Sequence, residues 1–272
     1  MQEPVARGDL RFTEEMNARP KPGLFDVDSG LQHFAIVTYA IPAERLRPLV
    51  HRRFDLETIE GPDGSPQALI SMVPFMDKDF HSAWLNYPQL TFGQTNYRAY
   101  VIDRYTGDRV AWFFGTTLDS WSVAIPNRLW KLPWYRAHST FDCEYDESAG
   151  RYSHYRLSTQ SDWAPVTLEL EDTGEPPTEL RGFDSLEAAR VILTHPFIGA
   201  FYRRDRRLGS YSVWHAPLEL TVGRVKSAKI GLFEDLGLLT ADEALQPHSV
   251  LIQPITQFTI YLPPKKLGRP GG

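Results

Sequence analysis

The chain has 272 residues and a mass of 31.1 kDa, enough for one large domain or two small ones. Its 29 basic and 34 acidic side chains give a net charge of -5, which argues against a dedicated binder of nucleic acid or anionic membranes. Its single cysteine, Cys143, excludes an intramolecular disulfide and a multi-cysteine zinc site. There is no secretory pattern at the N-terminus and no apolar run of about 18 residues, so we expect a cytoplasmic protein.

The first elements in chain order are an arm and a buried strand. Prolines and mixed charges over residues 1–30 predict an extended N-terminal arm, followed by a single domain over 31–272. The apolar run at 31–40 predicts a strand that is buried on both faces. Pro42 then predicts a short helix, which Pro48 limits to about two turns.

Hairpins dominate the middle of the chain. Turn residues at 61–66, 106–108 and 147–150 separate runs rich in β-branched and aromatic residues. Aromatic residues make up 12% of the chain, which favours strands over helices. We therefore expect an α+β, mainly antiparallel architecture with few helices.

Three helix starts are predicted from capping residues. Asp119 or Ser120 precedes a segment that runs towards residue 130, interrupted by a proline at 126. Asp184 with a glutamate three residues later predicts a capping box for the helix that ends before Pro196. Thr240 repeats this pattern before a short helix ending at residue 245.

The order of several motifs resembles one known family. After the first strand come PAERLRPLV, a strand ending in VPF, NYRAYV, WFFGTTLDS, RLWKLPWYRA and HAPLEL. This order, over roughly residues 31–239, resembles the YqjF-like bacterial proteins of the acetoacetate decarboxylase-like superfamily. The resemblance implies a closed, cone-like β-barrel with a few flanking helices and an internal cavity.

The residues that define decarboxylation in that superfamily are replaced here. The resemblance places a Schiff-base lysine after a proline, where this chain has Trp134 and Tyr135 following Pro133. It places a catalytic glutamate where the best match is Gln94, an amide that cannot act as a base. The fold is therefore expected without acetoacetate decarboxylation.

Arg98 is the leading candidate for a catalytic or binding residue. On a strand, Asn96, Arg98 and Tyr100 share one face, while Tyr97 and its alternate neighbours share the other. If the first face points inward, a fixed cation and an amide would orient a carboxylate or enolate oxygen. If it points outward, Arg98 is an ordinary surface residue.

Three further side chains are candidates for catalysis. Lys131 would be a nucleophile in an apolar pocket, although a solvated lysine is the commoner case. Asp119 would be an acid or base, although a helix cap is equally consistent. His215, in the HAPLEL segment, is the histidine to test for proton transfer, and no histidine pair has the spacing of a zinc site.

The remaining candidates would bind substrate. Trp112, Phe114 and Trp134 would line an apolar cavity if they face the barrel interior, and would be core residues otherwise. Arg128 lies on the decarboxylase-like segment before Pro133, and Gln94 lies on the cavity strand that the resemblance implies.

The sequence thus predicts a barrel that binds a small, largely apolar organic molecule, with no metal or nucleotide cofactor. The resemblance favours lyase, dehydratase or cyclase-type chemistry, and a non-catalytic carrier or sensor with the same cavity is the alternative. A structural subunit with a filled barrel is a third reading. We expect a small-molecule partner, no nucleic acid and no membrane, and leave a homo-oligomer open.

Overall fold

The computed structural model describes residues 10–121 and 124–267, without the side chains of 125 and 126. In chain order its strands are β1 (Val27–Pro42), β2 (Phe54–Leu56), β3 (Thr58–Glu60), β4 (Pro66–Ser82), β5 (Leu85–Asp103), β6 (Arg109–Leu118), β7 (Trp134–Arg136), β8 (His138–Asp146), β9 (Arg151–Gln160), β10 (Val166–Asp172), β11 (Ile198–Tyr202), β12 (Leu208–His215), β13 (Thr221–Ile230) and β14 (Ser249–Lys266). Its α-helices are α1 (Glu14–Asn17), α2 (Ala43–Leu46), α3 (Ala124–Trp130), α4 (Leu186–Thr194) and α5 (Gly231–Asp235). Short 3-10 turns cover Arg47–Leu49 and Glu243–Leu245.

The predicted closed barrel is confirmed, and seven strands form it. Each of β1, β4, β5, β6, β11, β12 and β14 pairs with the next, and β14 pairs back onto β1. One junction departs from the antiparallel pattern, because β11 runs parallel to β6. A parallel neighbour requires a long crossover, and here the crossover carries α3, β7–β10 and α4.

A second, antiparallel layer covers part of the outer face of the barrel. It consists of β8, β9, β10 and β13, and β13 joins it to β14 through the pair Thr221 and Ile252. Tyr97 and Ala99 pack with side chains of this layer and of α5 in one core cluster. Side chains alternate along a strand, so Gln94 and Arg98 face the barrel interior.

Helix α4 packs against the inner face of the barrel. Its residues Val191 and Leu193 share a core cluster with Ile36, Leu69 and Tyr100. The predicted capping box is wrong by one residue: the N-cap is Ser185, whose side chain accepts a hydrogen bond from the amide of residue 188. Asp184 lies one position too early to reach this turn.

Several predicted local features are confirmed. The three turns connect β3 to β4, β5 to β6 and β8 to β9. Thr240 and Glu243 exchange backbone-to-side-chain hydrogen bonds of 2.8 and 3.2 Å at the start of the second 3-10 turn. The helix expected after residue 119 is observed as α3, although residues 122 and 123 near its start lie outside the described part of the chain.

The described residues before β1 contact the rest of the fold. Leu10 is buried in the same cluster as α4, and strand β1 begins at Val27, four residues earlier than expected. The division into an arm and a single domain stays a prediction. In the described part of the chain, no helix has the length and apolar character needed to cross a membrane.

Candidate functional site: a cavity inside the barrel

The barrel interior contains a narrow cavity of about 50 Å³. One water molecule needs roughly 10–15 Å³ of such space, so the cavity suits a few waters or a compact organic group. Most of its wall is apolar or aromatic, and the polar side chains that line it are Gln94, Asn96, Arg98, Thr194, Tyr211, His215 and Thr256. The strands of the barrel supply all of these polar side chains except Thr194, which ends α4.

Arg98 is partly bound to the protein and partly free. Its Nη2 donates to the carbonyl oxygen of Leu193 at 2.9 Å and to the Tyr100 hydroxyl at 3.3 Å. Its Nε is buried and has no hydrogen-bond partner among the described residues. No carboxylate of the described residues forms an ion pair with it. A guanidinium stays charged, so this edge of Arg98 can receive an anionic oxygen.

Asn96 belongs to a short polar network beside Arg98. The Gln94 amide donates to Asn96 Oδ1 at 3.0 Å, and the Thr116 hydroxyl donates to the same oxygen at 2.8 Å. The carboxamide oxygen of Asn96 is therefore occupied, and its NH₂ group is the part that can bind a ligand. Two donors, the Arg98 guanidinium and the Asn96 amide, thus come from neighbouring positions of β5.

His215 is held by two main-chain carbonyls. Its Nε2 lies 2.7 Å from the oxygen of Thr194 and its Nδ1 lies 2.8 Å from the oxygen of Ala216. Burial lowers the pKa of His215, and Arg98 adds to this effect, while the two carbonyls oppose it. A neutral imidazole carries one N–H and donates to one of the two carbonyls. His215 therefore lines the cavity with both ring nitrogens directed at the backbone.

Tyr100, predicted to bind substrate, is not among the residues that line the cavity. Its hydroxyl donates to the carbonyl of Leu193 at 3.1 Å and is 2.8 Å from the Ser71 hydroxyl. With Arg98 it satisfies the carbonyl at the C-terminal end of α4, where helix carbonyls have no partner within the helix. This position indicates a structural role for Tyr100.

Two of the three predicted aromatic wall residues face away from the cavity. Trp112 is buried against Phe54 and the aromatic ring of residue 202, and Phe114 packs on the ring of residue 233 in α5. A register shift between β5 and β6 opposite Tyr97 and Arg98 leaves Phe113 in the wall instead. Trp134 lines the cavity.

Lys131, Arg128 and Asp119 are not brought to the cavity. Lys131 and Arg128 are exposed, and Lys131 has a φ of 57°. Asp119 accepts a hydrogen bond from the amide of Ser139 at 3.1 Å and contacts His138 at 3.1 Å. The structure thus separates these three side chains from Arg98 and His215.

Sequence reasoning missed a buried carboxyl group, Asp77. It is 2% exposed, pairs with the cavity residue Leu31 in the β1–β4 ladder, and lies two residues along β4 from the cavity residue Phe75. Its Oδ2 has no partner among the described residues. Burial raises the pKa of Asp77 to about 7, against a smaller opposing effect of the Ser29 hydroxyl. Side chains alternate between the two faces of β4, and this alternation could have placed Asp77 on the same face as Phe75.

Thr256 is the second residue that was missed. It lies on β14 opposite Leu31, and its buried hydroxyl has no hydrogen-bond partner among the described residues. It lines the cavity together with Phe258 and Ile260, which follow it at a spacing of two. The described residues contain no group of three or more His, Cys, Asp or Glu side chains that could hold a metal ion.

Comparison with family models gives a match over residues 28–256 to DUF2071, described as "Uncharacterized conserved protein (COG2071)". The chain belongs to the DUF2071 family. A comparison of the sequence with curated proteins finds no match.

This DUF2071 chain is similar in structure to acetoacetate decarboxylase-like proteins. It matches the enduracididine biosynthesis enzyme MppR complexed with pyruvate, with 14% identity, a TM-score of 0.56 and coverage of 92% of this chain and 93% of that one. It matches acetoacetate decarboxylase from Legionella pneumophila subsp. pneumophila str. Philadelphia 1, with 13% identity, a TM-score of 0.54 and coverage of 94% and 93%. An acetoacetate decarboxylase-like enzyme from Sphingomonas wittichii RW1 gives 11% identity, a TM-score of 0.55 and coverage of 90% and 94%. At these identities the likeness shows a shared fold.

Proposed function

We propose that this protein binds a small organic anion inside the barrel, with Arg98 as its fixed positive charge. The observation that carries the proposal is Arg98, which lines a mostly apolar cavity and has a buried Nε without a partner among the described residues. A buried donor without a partner costs free energy, and more so when it is charged. A carboxylate or enolate oxygen in the cavity would remove that cost.

The size and chemistry of the cavity define the ligand class. A cavity of about 50 Å³ with Phe34, Phe75 and Trp134 in its wall fits a short acid with a compact apolar part. The Asn96 amide adds a second donor for an oxygen of the same ligand. The similar structure of MppR is a complex with pyruvate, and we therefore choose short 2-oxo acids as first probes for this chain.

Isothermal titration calorimetry with pyruvate, acetoacetate and 2-oxobutyrate tests the binding. We expect Arg98→Ala to weaken binding by about 1–3 kcal/mol, the scale of a charge-assisted hydrogen bond. Arg98→Lys should recover only part of this loss, because an ammonium lacks the planar fork. Arg128→Ala is the matched control, since Arg128 is exposed and away from the cavity.

The amides of the same acids provide the ligand control. If the amides bind as tightly as the acids, Arg98 does not select for negative charge. If neither series binds the wild-type protein, a short organic acid is the wrong ligand class.

A non-catalytic carrier or sensor and an enzyme would use the same cavity. Among the described side chains that line it, none is a lysine or a carboxylate, and His215 is bound to the backbone. These observations favour binding without a covalent intermediate.

The raised pKa of the buried Asp77 carboxyl group favours an enzyme with lyase, dehydratase or cyclase-type chemistry. A carboxyl group with a pKa of about 7 is suited to proton transfer at neutral pH. Asp77 lies on the inner face of the barrel beside the cavity residues Leu31 and Phe75, although it is not itself part of the cavity wall. Nuclear magnetic resonance of the bound acids in D₂O would report proton exchange or turnover. Loss of such a signal in Asp77→Asn would support an enzyme, and no signal in the wild type would support a carrier. Membership of the YqjF-like group stays a prediction alongside these alternatives.

A further inference from the structure

An apolar patch is exposed at the tip of the β4–β5 hairpin. Trp84 is 69% exposed and Tyr87 is 83% exposed, and Leu85 between them is more than half exposed. Leu24 and Phe25, which precede β1, are also more than half exposed. We call these five residues the hairpin-tip patch.

The two segments of the hairpin-tip patch are joined by hydrogen bonds. The amide of Ala83 donates to the carbonyl of Asp26 at 2.8 Å, and the Ser82 hydroxyl donates to the carbonyl of Leu24 at 3.4 Å. At the start of β5, the Gln89 amide donates to the side-chain oxygen of Asn86 at 2.8 Å. These hydrogen bonds hold the two exposed segments next to each other.

The area of the patch suits a protein partner. With roughly 150–250 Å² for each aromatic side chain, the exposed fractions sum to on the order of 600 Å² of apolar surface. This reaches the upper range of about 300–600 Å² for the largest patch on a monomer. It approaches the roughly 800 Å² that each partner contributes to a standard interface.

The lack of charge in the hairpin-tip patch indicates what kind of partner it binds. Residues 82–90 and 22–25 contain no charged side chain. A surface without charge has no attraction for nucleic acid or anionic lipid, and it does not repel an identical surface. Two copies related by a two-fold axis would place the same aromatic residues against each other.

We propose that the hairpin-tip patch is the contact between two copies of this chain in a symmetric dimer. Trp84 and Tyr87 are the central residues of the interface, because aromatic side chains dominate the binding energy of such contacts. The inference is independent of the ligand that occupies the barrel.

Sedimentation velocity of the full chain tests the proposal. At about 100 µM, above the micromolar end of the dissociation constants for interfaces of this size, the wild type should be a dimer. The double variant Trp84→Ser, Tyr87→Ser should dissociate at least about 100-fold more readily. Leu245→Ser is the matched control, since Leu245 is 47% exposed on the distant 3-10 turn and should leave the dimer unchanged.

A second measurement does not depend on how the double variant folds. Asn86→Cys in a Cys143→Ser background should form a disulfide-linked dimer on mild oxidation, because a two-fold axis at the tip brings the two positions together. A monomeric wild type, or a double variant that is folded and still dimeric, overturns the proposal. Flotation of a monomeric wild type with phosphatidylcholine vesicles, lost in the double variant, also overturns it and assigns the patch to a lipid surface.

Discussion

Arg98 caps the C-terminal end of helix α4: its Nη2 donates to the carbonyl oxygen of Leu193 across 2.9 Å. The contact places a fixed positive charge at the end of a helix where the backbone dipole is negative. One side chain thus stabilises the helix inside the barrel and lines the cavity, and its buried Nε has no partner among the described residues. A structural role and a binding role for Arg98 are compatible in this geometry.

Because Arg98 caps helix α4, its removal should destabilise the protein even without a ligand. We expect Arg98→Ala to reduce the free energy of unfolding by about 1.5–3 kcal/mol, the range for a hydrogen bond from a charged group. Urea denaturation of the ligand-free protein measures it. Arg128→Ala should change the value by less than about 0.5 kcal/mol, as exposed positions do. An equal loss in both variants would contradict the capping role.

Tyr100 should affect stability through its hydroxyl alone. Tyr100→Phe removes a donor to the Leu193 carbonyl and leaves the ring in the core, so we expect a loss of about 1–2 kcal/mol. Chemical denaturation checks the value. A variant as stable as the wild type would show that Arg98 satisfies this carbonyl by itself.

The raised pKa of Asp77 predicts that the stability of the protein depends on pH. The pKa of Asp77 is raised to about 7 in the folded protein, from an ordinary value of 3.8, so the folded state holds its proton more tightly than the unfolded state. Stability should therefore fall as the pH rises from about 4 to about 7, by on the order of 3–4 kcal/mol at the upper end. Asp77→Asn should remove this part of the profile, which denaturation at a series of pH values would measure. An unchanged profile would mean that another group causes it.

Substitutions of Ser185 and Asp184 should differ in their effect on stability, because only Ser185 is the N-cap of α4. Ser185→Ala should cost about 0.5–2 kcal/mol, because the Ser185 hydroxyl accepts a hydrogen bond from the first turn. Asp184→Ala should have a much smaller effect. A thermal melt of both variants tests this, and the reverse order of stability would restore the cap predicted from the sequence.

Lys131 should not form a Schiff base. Its side chain is exposed and lies outside the cavity, so borohydride treatment with acetoacetate or pyruvate should leave it unmodified. Peptide mass mapping provides the measurement, with Lys131→Ala as the control. A reduced adduct on residue 131 that disappears in the control would restore the lysine mechanism.

The sequence by itself determined the hairpins and much of the sheet. Turn residues such as Gly64, Gly107 and Gly150 have positive φ values, which glycine adopts without strain, and these turns are local events. Period-two alternation along β5 separates Arg98 from Tyr97 without any knowledge of other strands. That the sheet closes into a barrel was predicted from the family resemblance, because no local sequence pattern shows it.

The tertiary structure decided which of the candidate residues line the cavity. A register shift between β5 and β6 puts Phe113 in the cavity wall and Phe114 on the outer core, and a shift in β1 around His33 changes the face of the residues that follow. Such bulges depend on pairing with neighbouring strands, so a single strand does not reveal them. Asp77 and Thr256 became candidates only when their missing partners and burial were visible, because both properties belong to the closed barrel and not to the strand.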